Sequence, residues 1–108
     1  MSGQEIIKDR LVEDVVHKIA DVVQPDQIIL FGSRARGDAH PDSDIDLLIL
    51  YNGPLSKQDV KLHIRREFPY PDFSMDLFVL SKEEYKRQQK IVSTIGYAAK
   101  REGIVCYG

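Results

Sequence analysis

The sequence predicts an α/β fold in which a small β-sheet is covered by helices. Segments with apolar residues every three or four positions alternate with short apolar runs rich in β-branched residues. Proline and glycine separate these segments, as is typical of turns between elements. The predicted order is α-β-α-β-α-β-α, with a short further strand at the end, in a single domain spanning residues 1–108.

Three helical patterns support this order. The first covers about residues 4–23 and carries one apolar stripe, formed by Ile7, Leu11, Val15, Ile19 and Val22. The second begins after Ser56, a favourable N-cap, and runs to about Phe68. The third begins at a capping box of Ser81 and Glu84 and is predicted to run unbroken to about Arg101, before the stop signal of Gly103.

The strands are predicted at 27–31, 44–51 and 73–80, with a short terminal strand at 104–107. The apolar run at 47–50 is continuous, which predicts burial on both faces of the sheet. A short helical turn is predicted at 33–37, between the first two strands.

Composition narrows the class of protein. The net charge of -2 argues against a dedicated nucleic-acid binder, which usually carries a basic surplus. The single cysteine, Cys106, excludes an intrachain disulfide, and no apolar run approaches the ~18 residues of a membrane span. The first residues lack the pattern of a secretory signal. We expect a cytoplasmic protein that does not enter a membrane.

Three aspartates form a candidate metal site. Asp44 and Asp46 stand two positions apart at the head of the second strand, so both side chains lie on one face. Asp76 is a charge in the third strand and would face this pair if the two strands are neighbours. Carboxylates this close repel one another without a cation. Magnesium needs only a few such oxygens besides a substrate phosphate.

The loop after the first strand is a candidate phosphate site. Gly32 lets the backbone approach an anion closely, and the Ser33 hydroxyl adds a donor at the start of a helical turn. Arg34 and Arg36 could neutralise a triphosphate. Phosphate donors and metal-binding carboxylates in one run predict metal-assisted chemistry on a nucleoside triphosphate.

Each feature also has a plain structural interpretation. A Gly-Ser pair after a strand is often only a turn, and Arg34 and Arg36 fit structural ion pairs equally well. Asp76 could lie on an edge strand and face water. The functional interpretation gains from the combination, because three separate elements supply matching parts of one site.

The residues resemble a known family. Gly-Ser at 32–33, ten intervening residues and Asp-Ile-Asp-Leu at 44–47 match the DNA polymerase beta-like nucleotidyltransferases. The fuller run Gly-Ser-Arg-Ala-Arg-Gly at 32–37 is similar to their minimal nucleotidyltransferase branch. The resemblance implies a nucleotidyltransferase fold with a small mixed sheet. It also implies transfer of a nucleoside monophosphate from an NTP to a hydroxyl, with release of pyrophosphate.

The resemblance assigns roles to the candidate residues. It implies that Asp44, Asp46 and Asp76 hold two Mg²⁺ ions, with Asp76 also helping to deprotonate the attacking hydroxyl. Gly32 and Ser33 would hold the β- and γ-phosphates. ATP is the expected donor.

Proteins similar to this one commonly accompany a HEPN-domain ribonuclease toxin, act as its antitoxin and can AMPylate a tyrosine on it. The resemblance therefore implies that a HEPN-type partner protein is the acceptor, and it is compatible with either a homo-oligomer or a hetero-oligomer.

Two alternative functions stay open at the level of sequence. One is a non-catalytic antitoxin that acts by occlusion. The other is a small-molecule enzyme of the aminoglycoside nucleotidyltransferase type.

Overall fold

A computed structural model describes residues 9–38, 40 and 42–108 of the chain. The helices are α1 (Arg10–Val23), α2 (Ser33–Arg36), α3 (Lys57–Arg66), α4 (Lys82–Gln88) and α5 (Ile95–Glu102). The strands are β1 (Gln27–Phe31), β2 (Ile45–Leu50), β3 (Met75–Leu80) and β4 (Ile104–Tyr107). This confirms the predicted α/β class. None of the helices in the described ranges has the length and apolar character that a membrane span requires.

The four strands form one mixed sheet in the order β3-β2-β1-β4. Strand β1 is antiparallel to both β2 and β4, whereas β2 and β3 run parallel. The register places Phe31 opposite Asp46, and Asp46 opposite Asp76. The central strands therefore carry the two sequence motifs to the same end of the sheet.

One face of the sheet is closed by α1 and α3. Alternate strand residues point to this face because successive side chains of a strand point in opposite directions. They pack with Val60 and Ile64 of α3 and with the buried residues of α1, which are Val12, Val15, Val16, Ile19 and Val23. The predicted stripe members Leu11 and Val22 are only partly buried. The fully buried members from the sheet include Ile28, Ile45, Leu47 and Ile49. This face holds the larger part of the core.

The opposite face is covered by α4 and α5. Its buried cluster is smaller and consists of Ile29, Phe31, Leu48, Leu50, Leu80 and Ala99. Tyr85 of α4 and Ile95 of α5 pack against it from outside. Asp46 and Asp76 belong to the same face by strand alternation, at the opposite end from Leu50 and Leu80.

The first helix begins later than its predicted start near residue 4. The backbone of Asp9 is extended, and its carboxylate accepts hydrogen bonds from the N–H groups of Leu11 and Val12. Asp9 is therefore the N-cap, a role that short acidic side chains favour. The remainder of the predicted start, with Ile7, lies outside the described residues.

The prediction of one long final helix is wrong, because the structure has two. The helix is interrupted at Thr94. Its hydroxyl donates a hydrogen bond to the Gln88 carbonyl at 2.9 Å and accepts one from the Tyr97 N–H at 3.2 Å. This caps a new helix, α5. Val92, which its spacing from Gln88 and Ile95 would place on the buried face of one continuous helix, is 74% exposed. Serine, threonine and β-branched residues at 91–94 are weak helix formers, which favours the break.

Other element boundaries shift by less. Strand β2 begins at Ile45 rather than Asp44, and β3 at Met75 rather than Phe73. Helix α3 ends at Arg66, before the predicted Phe68, with Glu67 as its C-cap. The continuous apolar run of β2 is buried on both faces as predicted.

Candidate active site

The site is built around two aspartates on neighbouring parallel strands. Asp46 of β2 and Asp76 of β3 are register partners, and their carboxyl groups are close enough to share a hydrogen bond when one of them is protonated. This confirms that the two strands are neighbours. Asp76 is the exposed residue of an otherwise largely buried edge strand, so the alternative that it lies on an edge strand and faces water is the one that the structure shows. Its side chain is open to solvent and to an incoming molecule.

Asp46 is the most perturbed carboxyl of the site. Partial burial, the hydrogen bond to Asp76 and the nearby charges of Asp76 and Asp44 raise the pKa of Asp46 to about 6. The charge of Arg36 opposes this shift only weakly. Asp44 lies just before β2 and is exposed. The carboxylates are therefore close enough to repel one another, as the sequence predicted.

Gly32 joins the first strand to α2 and lies against Asp46. Its φ of 79° and ψ of -158° place it in a region of backbone conformation that is almost restricted to glycine. A Cβ at this position would overlap the carboxylate of Asp46. The glycine therefore lets the backbone of the loop between β1 and α2 approach the carboxylate of Asp46 closely.

These elements surround an open cleft of about 590 Å³. It is lined by Gly32, Ser33, Arg36, Asp42, Ser43, Asp44 and Asp46. Asp76 is not part of this lining, although it is hydrogen-bonded to Asp46. The structure thus brings five of the seven predicted site residues to one cleft, with Asp76 beside it.

Arg34 is directed away from this cleft. Its side chain is only 6% exposed and forms an ion pair with Asp9, the N-cap of α1. Its Nε and Nη2 also donate to the carbonyl of Ser43, at 3.0 and 2.9 Å. These contacts tie α2 to the start of α1 and to the loop before β2. Arg34 therefore forms a structural ion pair, one of the two roles that the sequence had left open for it.

Arg36 faces the cleft and remains 46% exposed. Its Nη1 donates to both carboxylate oxygens of Glu102, at 3.2 and 3.3 Å, and its Nε donates to Asp38 at 3.4 Å. The hydrogen bonds that Arg36 donates to Glu102 and Asp38 raise the pKa of its guanidinium above the usual value. Arg36 is therefore a fixed positive charge at the edge of an acidic cleft.

Comparison with known proteins now identifies the fold family. The family model described as "Nucleotidyltransferase domain" matches residues 8–105. The chain belongs to the nucleotidyltransferase domain family. No curated protein matches the chain significantly.

Two crystal structures are similar to this nucleotidyltransferase domain. One is a protein from Sulfolobus solfataricus proposed to be a nucleotidyltransferase, with 24% identity and a TM-score of 0.59. The match covers 89% of this chain and 76% of that one. The other is a toxin–antitoxin with AMP-PNP, also 24% identical, with a TM-score of 0.56 and coverage of 89% and 73%. At this identity, both similarities establish the shared fold.

Nucleotidyltransferases of this family typically use an NTP and a divalent metal, and the donor set of this domain fits such an ion. Asp46 and Asp76 share a hydrogen bond while the pKa of Asp46 is raised, so a proton relieves the repulsion that a cation would relieve. Within residues 9–38, 40 and 42–108, no three acidic, histidine or cysteine side chains form a ready-made ligand cluster. Magnesium suits this arrangement because it retains several waters and takes further oxygens from substrate phosphates.

Sequence reasoning missed several residues around the nucleotidyltransferase cleft. Asp42 and Ser43 line it, and Ser43 also shapes the loop by accepting a hydrogen bond from the His40 N–H at 2.8 Å. Glu102 reaches the phosphate loop from the end of α5. The Asp-Ser-Asp pattern at 42–44 contained a local signal for the first two, whereas Glu102 stands far away in the sequence.

Proposed function

We propose that this chain transfers AMP from ATP to a hydroxyl group, in a Mg²⁺-dependent reaction. The observation that carries the proposal is the hydrogen-bonded pair of Asp46 and Asp76 directly beside the Gly32 backbone. Carboxylates for cations and a glycine loop for phosphates thus meet at one end of the sheet. Phosphoryl transfer depends chiefly on positioning and charge neutralisation, which these groups provide.

Asp44, Asp46 and Asp76 would hold the two cations in this proposal. When bound, Mg²⁺ would neutralise the charge that develops on the phosphate oxygens and orient the triphosphate. Asp46, the least exposed of the three, is fixed by its place in β2. Gly32 and Ser33 would hold the β- and γ-phosphates, while Arg36 offers a positive charge from the side of α2.

In the proposed step, the acceptor oxygen attacks the α-phosphorus of ATP. The bond from the α-phosphorus to the bridging oxygen breaks, and pyrophosphate leaves with the bonding electrons. Asp76 would help to take the proton of the attacking hydroxyl, and the exposure of its carboxylate beside Asp46 supports this role. Arg34 has no direct role here, since it joins Asp9 and the carbonyl of Ser43.

The acceptor is proposed to be a tyrosine on a partner protein, a HEPN-type toxin, so that the chain acts as an antitoxin. The cleft is open, and Asp44 and Asp76 are exposed, so a hydroxyl on a large molecule can reach it. The toxin–antitoxin with AMP-PNP, which shares this fold, is consistent with such a pairing. Reaction in the cytoplasm is part of the same proposal.

The test uses ATP labelled at the α-phosphate, Mg²⁺ and a HEPN-type protein encoded beside this chain. We expect label on a tyrosine of the partner, and we expect the Asp44→Asn/Asp46→Asn variant to lose at least ~100-fold in rate. Asp21→Asn is the matched control, because Asp21 is an exposed aspartate on α1, outside the cleft.

Other outcomes would point to the alternatives. Neutralisation of the partner that survives Asp44→Asn/Asp46→Asn, without label transfer, would support an antitoxin that acts by occlusion. Label on an aminoglycoside but not on the protein would support a small-molecule enzyme. No transfer to any acceptor, with any NTP, would contradict the proposed activity.

A further inference from the structure

Glu102 connects the far end of the chain to the phosphate loop. Its Oε1 accepts a hydrogen bond from the backbone N–H of Gly32 at 3.3 Å. Both of its oxygens also accept from Nη1 of Arg36, at 3.2 and 3.3 Å. One carboxylate thus holds the glycine backbone and the cationic side chain that border the cleft.

The sheet fixes where this carboxylate lies. Leu30 of β1 pairs with Ile104 of the antiparallel strand β4. Continuing this register by two residues in each direction brings position 32 opposite position 102. Gly103 secures the approach, because a Cβ there would overlap the Ala99 carbonyl and the Ile29 side chain. Glu102 is therefore presented at the junction between α5 and β4, beside Gly32.

The contact leaves part of Arg36 available. Nη1 is held by Glu102 and Nε by Asp38, and among the described residues no acceptor is recorded for Nη2. Arg36 also lines the cleft. An arginine held at two of its nitrogens can present the third to a phosphate oxygen without first losing its rotamer freedom.

We propose that Glu102 is a positioning residue for nucleotide binding. It holds the Gly32 peptide and the Arg36 guanidinium in the geometry that receives the triphosphate. The inference rests on the proposed function, because it assumes that the triphosphate lies against Gly32 and Arg36. Such preorganisation strengthens binding by lowering the cost of ordering the site.

An opposite role is physically possible and predicts the opposite result. A carboxylate on an N–H group and a guanidinium occupies the kind of donors that a phosphate uses. If Glu102 were a placeholder that the triphosphate displaces, its removal would free these donors and tighten nucleotide binding. We favour positioning because the register holds Glu102 in place and Nη2 of Arg36 stays available beside it.

The test measures the dissociation constant of a non-hydrolysable ATP analogue with Mg²⁺ by calorimetry, on the full chain. We expect Glu102→Gln to weaken binding about 10-fold, by analogy with residues that orient metal-binding side chains, which typically contribute 10–100-fold. Glutamine keeps an acceptor for the Gly32 N–H, so the fold is preserved while the charge that holds Arg36 is lost. Glu83→Gln, an exposed glutamate on α4, is the matched control.

A double-mutant comparison separates positioning from a purely structural role. We expect the fold-loss of affinity in the double variant Arg36→Ala/Glu102→Ala to be smaller than the product of the fold-losses in the two single variants, because Glu102 acts largely through Arg36. In the transfer reaction, Glu102→Gln should raise KM for ATP while kcat stays within about 2-fold. A purely structural role would give losses that multiply.

The outcomes distinguish this inference from the proposed function. Unchanged or tighter binding by Glu102→Gln, with a wild-type chain that binds normally, would overturn the positioning role alone. A wild-type chain that binds no nucleotide with Mg²⁺ would overturn the proposed function and the inference with it.

Discussion

The two faces of the sheet are built from alternate residues of the same strands, yet they differ along their length. The face under α1 and α3 is apolar from end to end, and Ile45, Leu47 and Ile49 on it are fully buried. The face under α4 and α5 changes along β2 from Asp46 to Leu48 and Leu50. Helices cover its apolar end, and the acidic end stays open.

Because of this difference, one strand, β2, contributes buried residues that stabilise the fold on one face and a carboxylate of the candidate site on the other. Asp46 and Leu47 are neighbours in the sequence but point to opposite faces. The closed face can supply a rigid platform because nothing on it needs to reach solvent. The other face can carry crowded carboxylates because only part of it contributes to the core. Four changes test this division, beginning with the largest expected effect on stability.

Leu47→Ala should destabilise the protein most. Leu47 is fully buried in the larger core cluster, and leucine-to-alanine changes at such positions cost about 3 kcal/mol or more, because a cavity remains. The free energy of unfolding in urea measures the effect. Leu62→Ala, at a side chain that is 48% exposed, is the control and should cost less than ~0.5 kcal/mol. Equal costs would remove the distinction between the closed face and the surface.

Gly32→Ala should destabilise by about 2 kcal/mol, because its backbone conformation is nearly restricted to glycine and the new Cβ would press on Asp46. It should also abolish nucleotide binding by displacing Asp46. Gly37→Ala is the matched control. Gly37 also has positive φ, at 83°, but a Cβ there meets nothing within 4 Å. We expect Gly37→Ala to cost about 1 kcal/mol and to leave Asp46 in place. Nucleotide binding unaffected by Gly32→Ala would contradict the proposed contact.

Thr94→Ala tests how the helices α4 and α5 that cover the second face of the sheet contribute to stability. Loss of an N-cap costs about 1 kcal/mol, and here it also removes the hydroxyl that closes the turn onto Gln88. Thermal unfolding measures the change. We expect the transfer activity per folded molecule to stay the same, because Thr94 lies outside the cleft. A selective loss of activity would show that the α4–α5 junction shapes the site.

Asp46→Asn should change how stability depends on pH. The pKa of Asp46 is about 6 in the folded chain, against an ordinary value of 3.8, so folding favours the protonated form. The contribution of this preferred protonation to the free energy of unfolding is fully present below pH 3.8 and is lost as pH rises through 6. In a metal chelator, the variant should therefore be more stable than the wild type at pH 8. We expect roughly 0.5–1 kcal/mol, since solvent screening reduces the effect at this partly exposed side chain.

At pH 4 this advantage of Asp46→Asn should be nearly absent, because wild-type Asp46 is then protonated in the folded chain. Melting temperatures at the two pH values provide the measurement. An advantage of the same size at both would show that repulsion among the carboxylates is not its cause.

Local sequence patterns predicted most of the helices and strands, because burial and capping depend on residues that lie close together in the sequence. The continuous apolar run in β2 and the caps at Ser56 and Ser81 are examples, and the structure confirms them. The break at Thr94 was missed, although 91–94 contains weak helix formers, because the apolar spacing continues across it. There the side-chain hydrogen bonds of Thr94 outweighed the periodicity.

The site was predictable where strand alternation decides it and unpredictable where distant pairing does. The face of Asp46 follows from alternation along β2, and Asp44, just before this strand, lines the same cleft. The exposure of Asp76, in contrast, depends on β3 being an edge strand. The partners of the two arginines come from distant segments. Asp9 engages Arg34, and Glu102 engages Arg36, so no local signal could tell which arginine faces the cleft.

The central claim is that the open end of the second face binds a nucleotide through its carboxylates and a divalent cation. The most direct measurement is calorimetric titration of the chain with a non-hydrolysable ATP analogue, with and without Mg²⁺. We expect binding by the wild type only with Mg²⁺, no binding by Asp44→Asn/Asp46→Asn, and normal binding by Asp21→Asn. Binding that needs no Mg²⁺, or that survives Asp44→Asn/Asp46→Asn, would contradict the account.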